Sequence, residues 1–276
     1  MRLDGTMRLA AALRGRLLYR RFYEIKVAAH GMMPARVYKR LYDTVLGLPD
    51  LDIVEIGAAG GAGSVVIAQA LKDARRTARL VTVEKCEGGS RSGRSKQANR
   101  DALEATFRRF QVGDRIALFP EHLTMENGEE VKRLIGTGAI SALVHDADGR
   151  LDRDFRIFFD MLVDGGAVVI DDFVDRRRFK PVCDRYPFGG TKKLRTFRLA
   201  NQLIDWGLIK REAVVGHTLF ARKVPGASAA RIEPEVVQAI DREVRAEYEQ
   251  WRGSPDPPPA RAPRRRGAAP RGKGGR

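Results

Sequence analysis

Asp52-Ile-Val-Glu-Ile-Gly-Ala-Ala-Gly-Gly-Ala-Gly-Ser64 decides the fold of this chain. Ile53, Val54 and Ile56 make an apolar run too short for a helix and bounded by glycine, the pattern of a strand buried on both faces of a parallel sheet. Gly57, Gly60, Gly61 and Gly63 then allow a sharp turn with no Cβ in the way of a ligand, and Ser64 to Leu71 begins a helix whose free N–H groups face that turn. A strand, a glycine turn and a helix make a nucleotide cradle.

The next strand, Leu80-Val-Thr-Val-Glu84, ends in an acid about twenty residues past the last glycine, where a carboxylate accepts both ribose hydroxyls of an adenosine. The glycine spacing is not the Gly-x-Gly-x-x-Gly of a dinucleotide fold, and Glu55, two residues before Gly57, suits a cationic amino-acid head better than a pyrophosphate. Downstream, helical and strand patterns alternate. Helix Gln97–Phe110, strand Arg115–Phe119, helix Gly128–Ile135, strand Ile140–His145, helix Arg153–Leu162 and strand Ala167–Ile170 argue for a parallel sheet with helices on both faces. Helix Lys192–Trp206 leads into two β-rich runs, Leu208–Val215 and His217–Val224, separated by Gly216, which read as an antiparallel hairpin.

At 276 residues the chain has room for one α/β domain with extensions. The expected division is a basic helical extension or lid over 1–49, the α/β domain over 50–224, an amphipathic helix within 225–252 and a disordered basic tail over 253–276. The formal net charge of +16 sits mostly at the two ends. Residues 1–40 hold ten Lys and Arg against two acids and residues 253–276 seven against one, which leaves 34 bases and 32 acids between them. A body so near neutral does not favour nucleic acid, although the ends could serve as phosphate-binding arms for an RNA acceptor. Residues 6–30 read as a basic amphipathic helix, either a lid or a contact with an anionic membrane surface or polymer. No apolar run reaches the ~18 residues of a membrane span and no signal core opens the chain, so the expected location is cytoplasmic. Cys86 and Cys183 read as free thiols, and a homo-oligomer is compatible with the sequence.

Two further strands end in acids, Val144-His145-Asp146-Ala-Asp148-Gly149 and Gly165-Gly166-Ala-Val-Val-Ile-Asp171-Asp172. Neighbouring strands would gather Asp146, Asp171 and Asp172 at one sheet edge, an oxygen-rich cluster suited to Mg²⁺ or another hard divalent cation. The competing reading is an Asx-type turn at Asp146 and Asp148, with caps at Asp171 and Asp172.

The acid, x-Gly and glycine-rich turn at Glu55–Gly63, with Glu84, resemble the first motifs of the class I S-adenosylmethionine (SAM) dependent methyltransferases. The paired acid sites resemble, more narrowly, the metal-dependent O-methyltransferases of the catechol type and the Mg²⁺-dependent branch acting on sugar hydroxyls of macrolides. The resemblance covers roughly residues 50–175. It implies a Rossmann-like seven-stranded sheet, mostly parallel with one antiparallel hairpin strand, and transfer of a methyl group from SAM to a hydroxyl of a small molecule or sugar. By the same resemblance Glu55, Gly57, Ala58, Gly61, Ser64 and Glu84 hold SAM, joined by Glu121, His122 and Asp146, while Asp146, Asp171 and Asp172 bind the metal. Asp146, Asp148 and His145 are the catalytic candidates. The family's histidine three residues after the first metal Asp is Gly149 here, which leaves the proton acceptor open among His145, His122, Lys192 and Lys193. His145, next to the metal Asp on its strand, is expected to point away from it. A non-catalytic SAM- or nucleotide-binding protein is the reading from another class that this departure favours.

Overall fold

The computed structural model describes residues 19–87, 93–174 and 187–252. Residues 6–18 of the basic helix, the tail from 253, residues 88–92 of the loop after Cys86, the cations Arg176–Lys180 and Cys183 lie outside the described residues.

The described chain builds α1 (residues 19–28), α2 (Ala35–Leu46), β1 (Asp52–Ile56), α3 (Ala62–Asp73), β2 (Leu80–Val83), α4 (Lys96–Arg109), β3 (Ile116–Phe119), α5 (Gly128–Arg133), β4 (Ile140–His145), α6 (Leu151–Phe158), β5 (Leu162–Ile170), α7 (Pro187–Asp205), β6 (Ile209–Val215), β7 (Thr218–Lys223) and α8 (Pro234–Arg252). The sheet has seven strands in the order β3-β2-β1-β4-β5-β7-β6. Pairing is parallel from β3 through β5, and β7 runs antiparallel between β5 and β6. This is the expected sheet, helices on both faces included.

Because successive strand residues point to opposite faces, each strand feeds two cores. Ile53, Leu80, Ala142 and Val169 pack with α1 to α4, and Val54, Val81, Leu143 and Val168 with the layer of α5 to α8. β1 is buried along its whole length, as its apolar run requires. Phe22 and Ile25 of α1, and Ala29 just after it, are buried in the first core, while Arg21 reaches Asp73 and Gln69 of α3. Among the described residues, no helix is long and apolar enough to cross a membrane.

Three boundaries depart from the sequence reading for local reasons. β5 begins at Leu162, five residues before the expected Ala167, and takes in Gly165 and Gly166 at an irregularity where Ile140 faces Leu162 but Ala142 faces Ala167. The glycine pair therefore forms a bulge inside the strand, with Gly165 at φ +72°, and does not precede it. α6 starts earlier, at Leu151, and gives way to a short 3-10 turn over Phe159–Met161. The hairpin turn has two residues, Gly216 and His217, with the positive φ at the glycine, as a tight hairpin between twisted strands demands.

Candidate active site

The parallel ladder runs one hydrogen bond past the strands, and this brings the site together. Gly57 N–H donates to the Val83 carbonyl, Asp146 N–H to that of Ile56, Asp171 N–H to that of His145, and Glu84 N–H to that of Phe119. Four residues from four strands thus share the carboxyl edge of the sheet, where ligands of open α/β sheets bind. A cleft of about 690 Å³ opens there, lined by Gly57, Ala59, Glu84, Glu121, His122 and Asp146 among others.

The glycine turn is shaped first by its own protein. A Cβ on Gly57, at φ +93°, would lie 2.2 Å from the carbonyl oxygen of Asp146, so only glycine lets β1 pass the end of β4. A Cβ on Gly63 would lie 2.5 Å from Glu55 Oε1. α3 has no side-chain cap, and its first turn opens from the left-handed Gly61. Glu84 closes this cradle: one carboxylate oxygen accepts Ala59 N–H at 2.7 Å and the other accepts Cys86 N–H at 3.0 Å.

Glu55 is placed differently from the expectation of a ligand to the cofactor's head. It is buried and does not line the cleft; its Oε2 accepts the hydroxyls of Ser64 at 2.5 Å and Thr82 at 2.7 Å, tying β1 to α3 and β2. Burial pushes its carboxyl up to about 7, against the lowering effect of those two hydroxyls. Ala58, Gly61 and Ser64 likewise shape the turn from behind the cleft wall, while Glu121 and His122 line the cleft. Glu121 pairs with Lys96 at 2.9 Å.

The catalytic candidates separate. His145 is buried with Nδ1 2.5 Å from Asp154 Oδ2, away from the cleft as strand alternation demands. Asp148 lines the cleft but accepts both Arg153 guanidinium nitrogens at 2.9 and 3.1 Å, and, although burial opposes it, this arginine holds the carboxyl down at about 2. His122 Nε2 stands 3.6 Å from Asp148. Asp146 also lines the cleft, and burial first, then the neighbouring Asp171, raises its carboxyl well above the usual range.

The three acids of the proposed metal set do gather electrostatically at one edge, but two lysines hold them. Asp172 Oδ2 is 2.7 Å from Lys192 Nζ and Oδ1 is 2.8 Å from Lys193 Nζ; Lys192 Nζ also lies 3.6 Å from Asp146 Oδ1. Asp171 Oδ1 accepts the Thr218 hydroxyl at 2.5 Å. Both oxygens of Asp172 are therefore taken, and among the described residues no group of three or more His, Cys, Asp and Glu side chains is placed to hold a metal ion. The residues as placed do not fit the three-carboxylate cation site that the resemblance implies. Asp171 and Asp172 also lie outside the cleft lining.

Sequence reasoning missed several residues of this edge. Tyr38 of α2 is buried, and its phenol is raised by burial and then by Asp146, so it stays neutral beside the acids. Arg153, and Asp241, Val244 and Arg245 of α8, line the far side of the cleft. The amphipathic pattern of α8 marks its buried face but carries no sign of what its margin faces. α8 is seated there by Val237, Ile240 and Val244, and by Arg195 and Arg198 of α7 pairing with Asp241, Glu243 and Glu247.

Residues 54–173 match a family model described as a methyltransferase domain. No curated protein matches the chain in sequence. Among solved structures it is similar to an O-methyltransferase from Bacillus cereus in complex with SAH, with a TM-score of 0.53, 16% identity, and coverage of 74% of this chain and 90% of that one. The SAH-bound Podospora anserina methyltransferase PaMTH1 aligns with a TM-score of 0.55 at 15% identity, over 81% of this chain and 97% of that one. TomG, an O-methyltransferase from Streptomyces achromogenes involved in tomaymycin synthesis and solved in complex with SAM, gives 0.52 at 18% identity, over 74% and 89%. At these identities the likenesses establish the fold, and the family match supplies the domain type. The chain therefore has the fold of these methyltransferases, with their seven-stranded sheet, and resembles the methyltransferase domain model over residues 54–173.

Proposed function

We propose that this protein transfers the methyl group of SAM to a hydroxyl oxygen of a small molecule or sugar held in the cleft. The observation that carries the reading is Glu84: its carboxylate stands at the cleft end of β2, fastened to the glycine turn through Ala59 N–H, where an adenosine's ribose hydroxyls need an acceptor. Gly57 and Ala59 would present backbone to the cofactor, with Glu121 and His122 on the adenine side. Bound there, SAM supplies an electrophilic methyl group.

The chain's own part is to place the acceptor and take its proton. Asp146 suits the second task best: it faces the cleft with a raised carboxyl, whereas Asp148 is neutralised by Arg153 and His145 is turned into the core. Arg153, Lys192, Arg195 and Arg245 line the cleft among Asp146, Asp148 and Asp241, so that half offers both donors and acceptors to the oxygens of a polyhydroxylated acceptor. The divalent-cation assistance implied by the resemblance has no fitted donor set among the described residues, and this reading does without it.

Calorimetric titration with SAM and SAH tests the first half, and methyl transfer from labelled SAM to a panel of caffeate, flavonoids and nucleotide sugars tests the second. Binding that weakens in Glu84→Ala, with label in an ether product, is the expected result. Binding indifferent to Glu84, or label recovered only in RNA, would overturn it.

A further inference from the structure

The cation that the clustered acids demand is built into the chain. Asp146, Asp171 and Asp172 bring three carboxyl groups to the edge of the cleft, and Lys192 and Lys193 bring two ammonium groups to meet them. Of the pair, Lys192 lines the cleft and reaches two of the three acids. An ammonium has three N–H donors; Asp172 takes one at 2.7 Å, and the 3.6 Å separation from Asp146 leaves at least one more for a ligand in the cleft.

The fold holds this lysine in place. Thr196, fully buried, donates its hydroxyl to the Lys192 carbonyl at 2.9 Å. Gly149, on the loop after β4, makes room for that turn of α7: a Cβ there would stand 3.1 Å from both the Lys192 carbonyl oxygen and Thr196 Oγ1, and its φ of +79° disfavours any side chain. Position 149 presents no side chain to the cleft, and α7 seats Lys192 against it.

We propose that Lys192 does for the acceptor what a divalent cation would do at this edge, donating a hydrogen bond to the hydroxyl oxygen and stabilising the negative charge that develops as the proton leaves for Asp146, so that the protein works without a bound metal. The inference rests on the methyl-transfer reading above. A fixed ammonium beside the reacting oxygen is the preorganised electrostatic device that such a step needs, and it brings no metal-binding equilibrium with it. Asp172 is engaged by both lysines, so a metal would have to displace two ion pairs to reach it.

The test uses the full-length protein with saturating SAH and Mn²⁺ as the probe, read by the loss of the free Mn²⁺ signal in electron paramagnetic resonance. Wild type should leave that signal undiminished, and Lys192→Met/Lys193→Met, which frees the acids, should tighten Mn²⁺ binding by roughly tenfold or more. In parallel, methyl transfer to caffeate should persist in EDTA; it should fall about a hundredfold in Lys192→Met with SAH affinity intact, and be partly restored in Lys192→Arg. Mn²⁺ uptake by wild type that Asp172→Asn abolishes, or transfer that stops in EDTA and returns with Mg²⁺, would overturn the inference while leaving the methyl-transfer reading standing. Absence of SAH binding would overturn both. If the double variant fails to fold, the wild-type Mn²⁺ and EDTA results still decide.

Discussion

Glu55 shows how one residue can brace the glycine turn without lining the cleft beside it. Its carboxyl, raised from 4.5 to about 7 by burial, is held more tightly by a proton in the folded chain than in the unfolded one. Stability should therefore fall as pH climbs from about 4.5 to 7 and level off above, by up to about 3 kcal/mol for this group. Glu55→Gln lacks that slope. Its melting temperature relative to wild type should rise between pH 5 and pH 8, and a constant difference across that range would refute the assignment. Glu84 is the opposite case, a half-exposed acid that lines the cleft. Glu84→Ala should weaken SAH binding about 10- to 100-fold by calorimetry, the loss of a charged acceptor for two hydroxyls and of the tether to Ala59. Asp146→Asn should lower kcat by about 10²- to 10⁴-fold while SAH affinity changes little, the signature of a group that acts on the acceptor's proton.

At the scale of elements, the close approach of β1 to β4 and the seating of α7 both depend on glycine. Gly57→Ala sets a methyl 2.2 Å from the Asp146 carbonyl at a positive φ, so the strand ends must part. A loss of about 2 kcal/mol or more in urea unfolding is expected, with SAH binding lost alongside. Gly149 is closely hemmed by the Lys192 carbonyl and Thr196 Oγ1, each 3.1 Å from where a Cβ would stand, and its φ is the wrong one for a side chain. Gly149→Ala should cost about 1–2 kcal/mol and disturb the start of α7, and Gly149→His should fail to raise turnover because Lys192 already occupies that approach. The acid pairs at the ends of β4 and β5 are legible in the chain as motifs. What they meet is not, because Lys192 and Lys193 come from α7, a separate element whose placement against the strand ends no local pattern reveals.

For the whole molecule, the cleft is a joint product of both layers. α1 and α2 bring Met32 to its mouth, the sheet edge forms its floor, and α8 closes its far side. α8 reads from sequence as a terminal amphipathic helix, yet it contributes Asp241, Val244 and Arg245 to the acceptor half. The strong basicity belongs elsewhere. Deleting residues 253–276 removes seven Lys and Arg and one acid, lowering the net charge from +16 to +10. The truncated protein should elute from heparin at lower salt and bind SAH as before, since the tail's charge acts through general polyanion attraction and not through the cleft.

The sequence by itself determined the sheet, its single antiparallel strand and the line of strand ends that borders the cleft, because these follow from local patterns: short apolar runs, glycine turns and alternating periods repeat within a few residues of one another. It also marked Glu84 and Asp146 for the cleft. Only the tertiary structure decided that Glu55 braces the turn from inside, that His145 and Asp148 are engaged by Asp154 and Arg153, and that lysines balance the clustered acids. The physical reason is that a charge's role is set by its partners and its burial, and here those partners come from α6, α7 and β7, which only folding brings to the same edge.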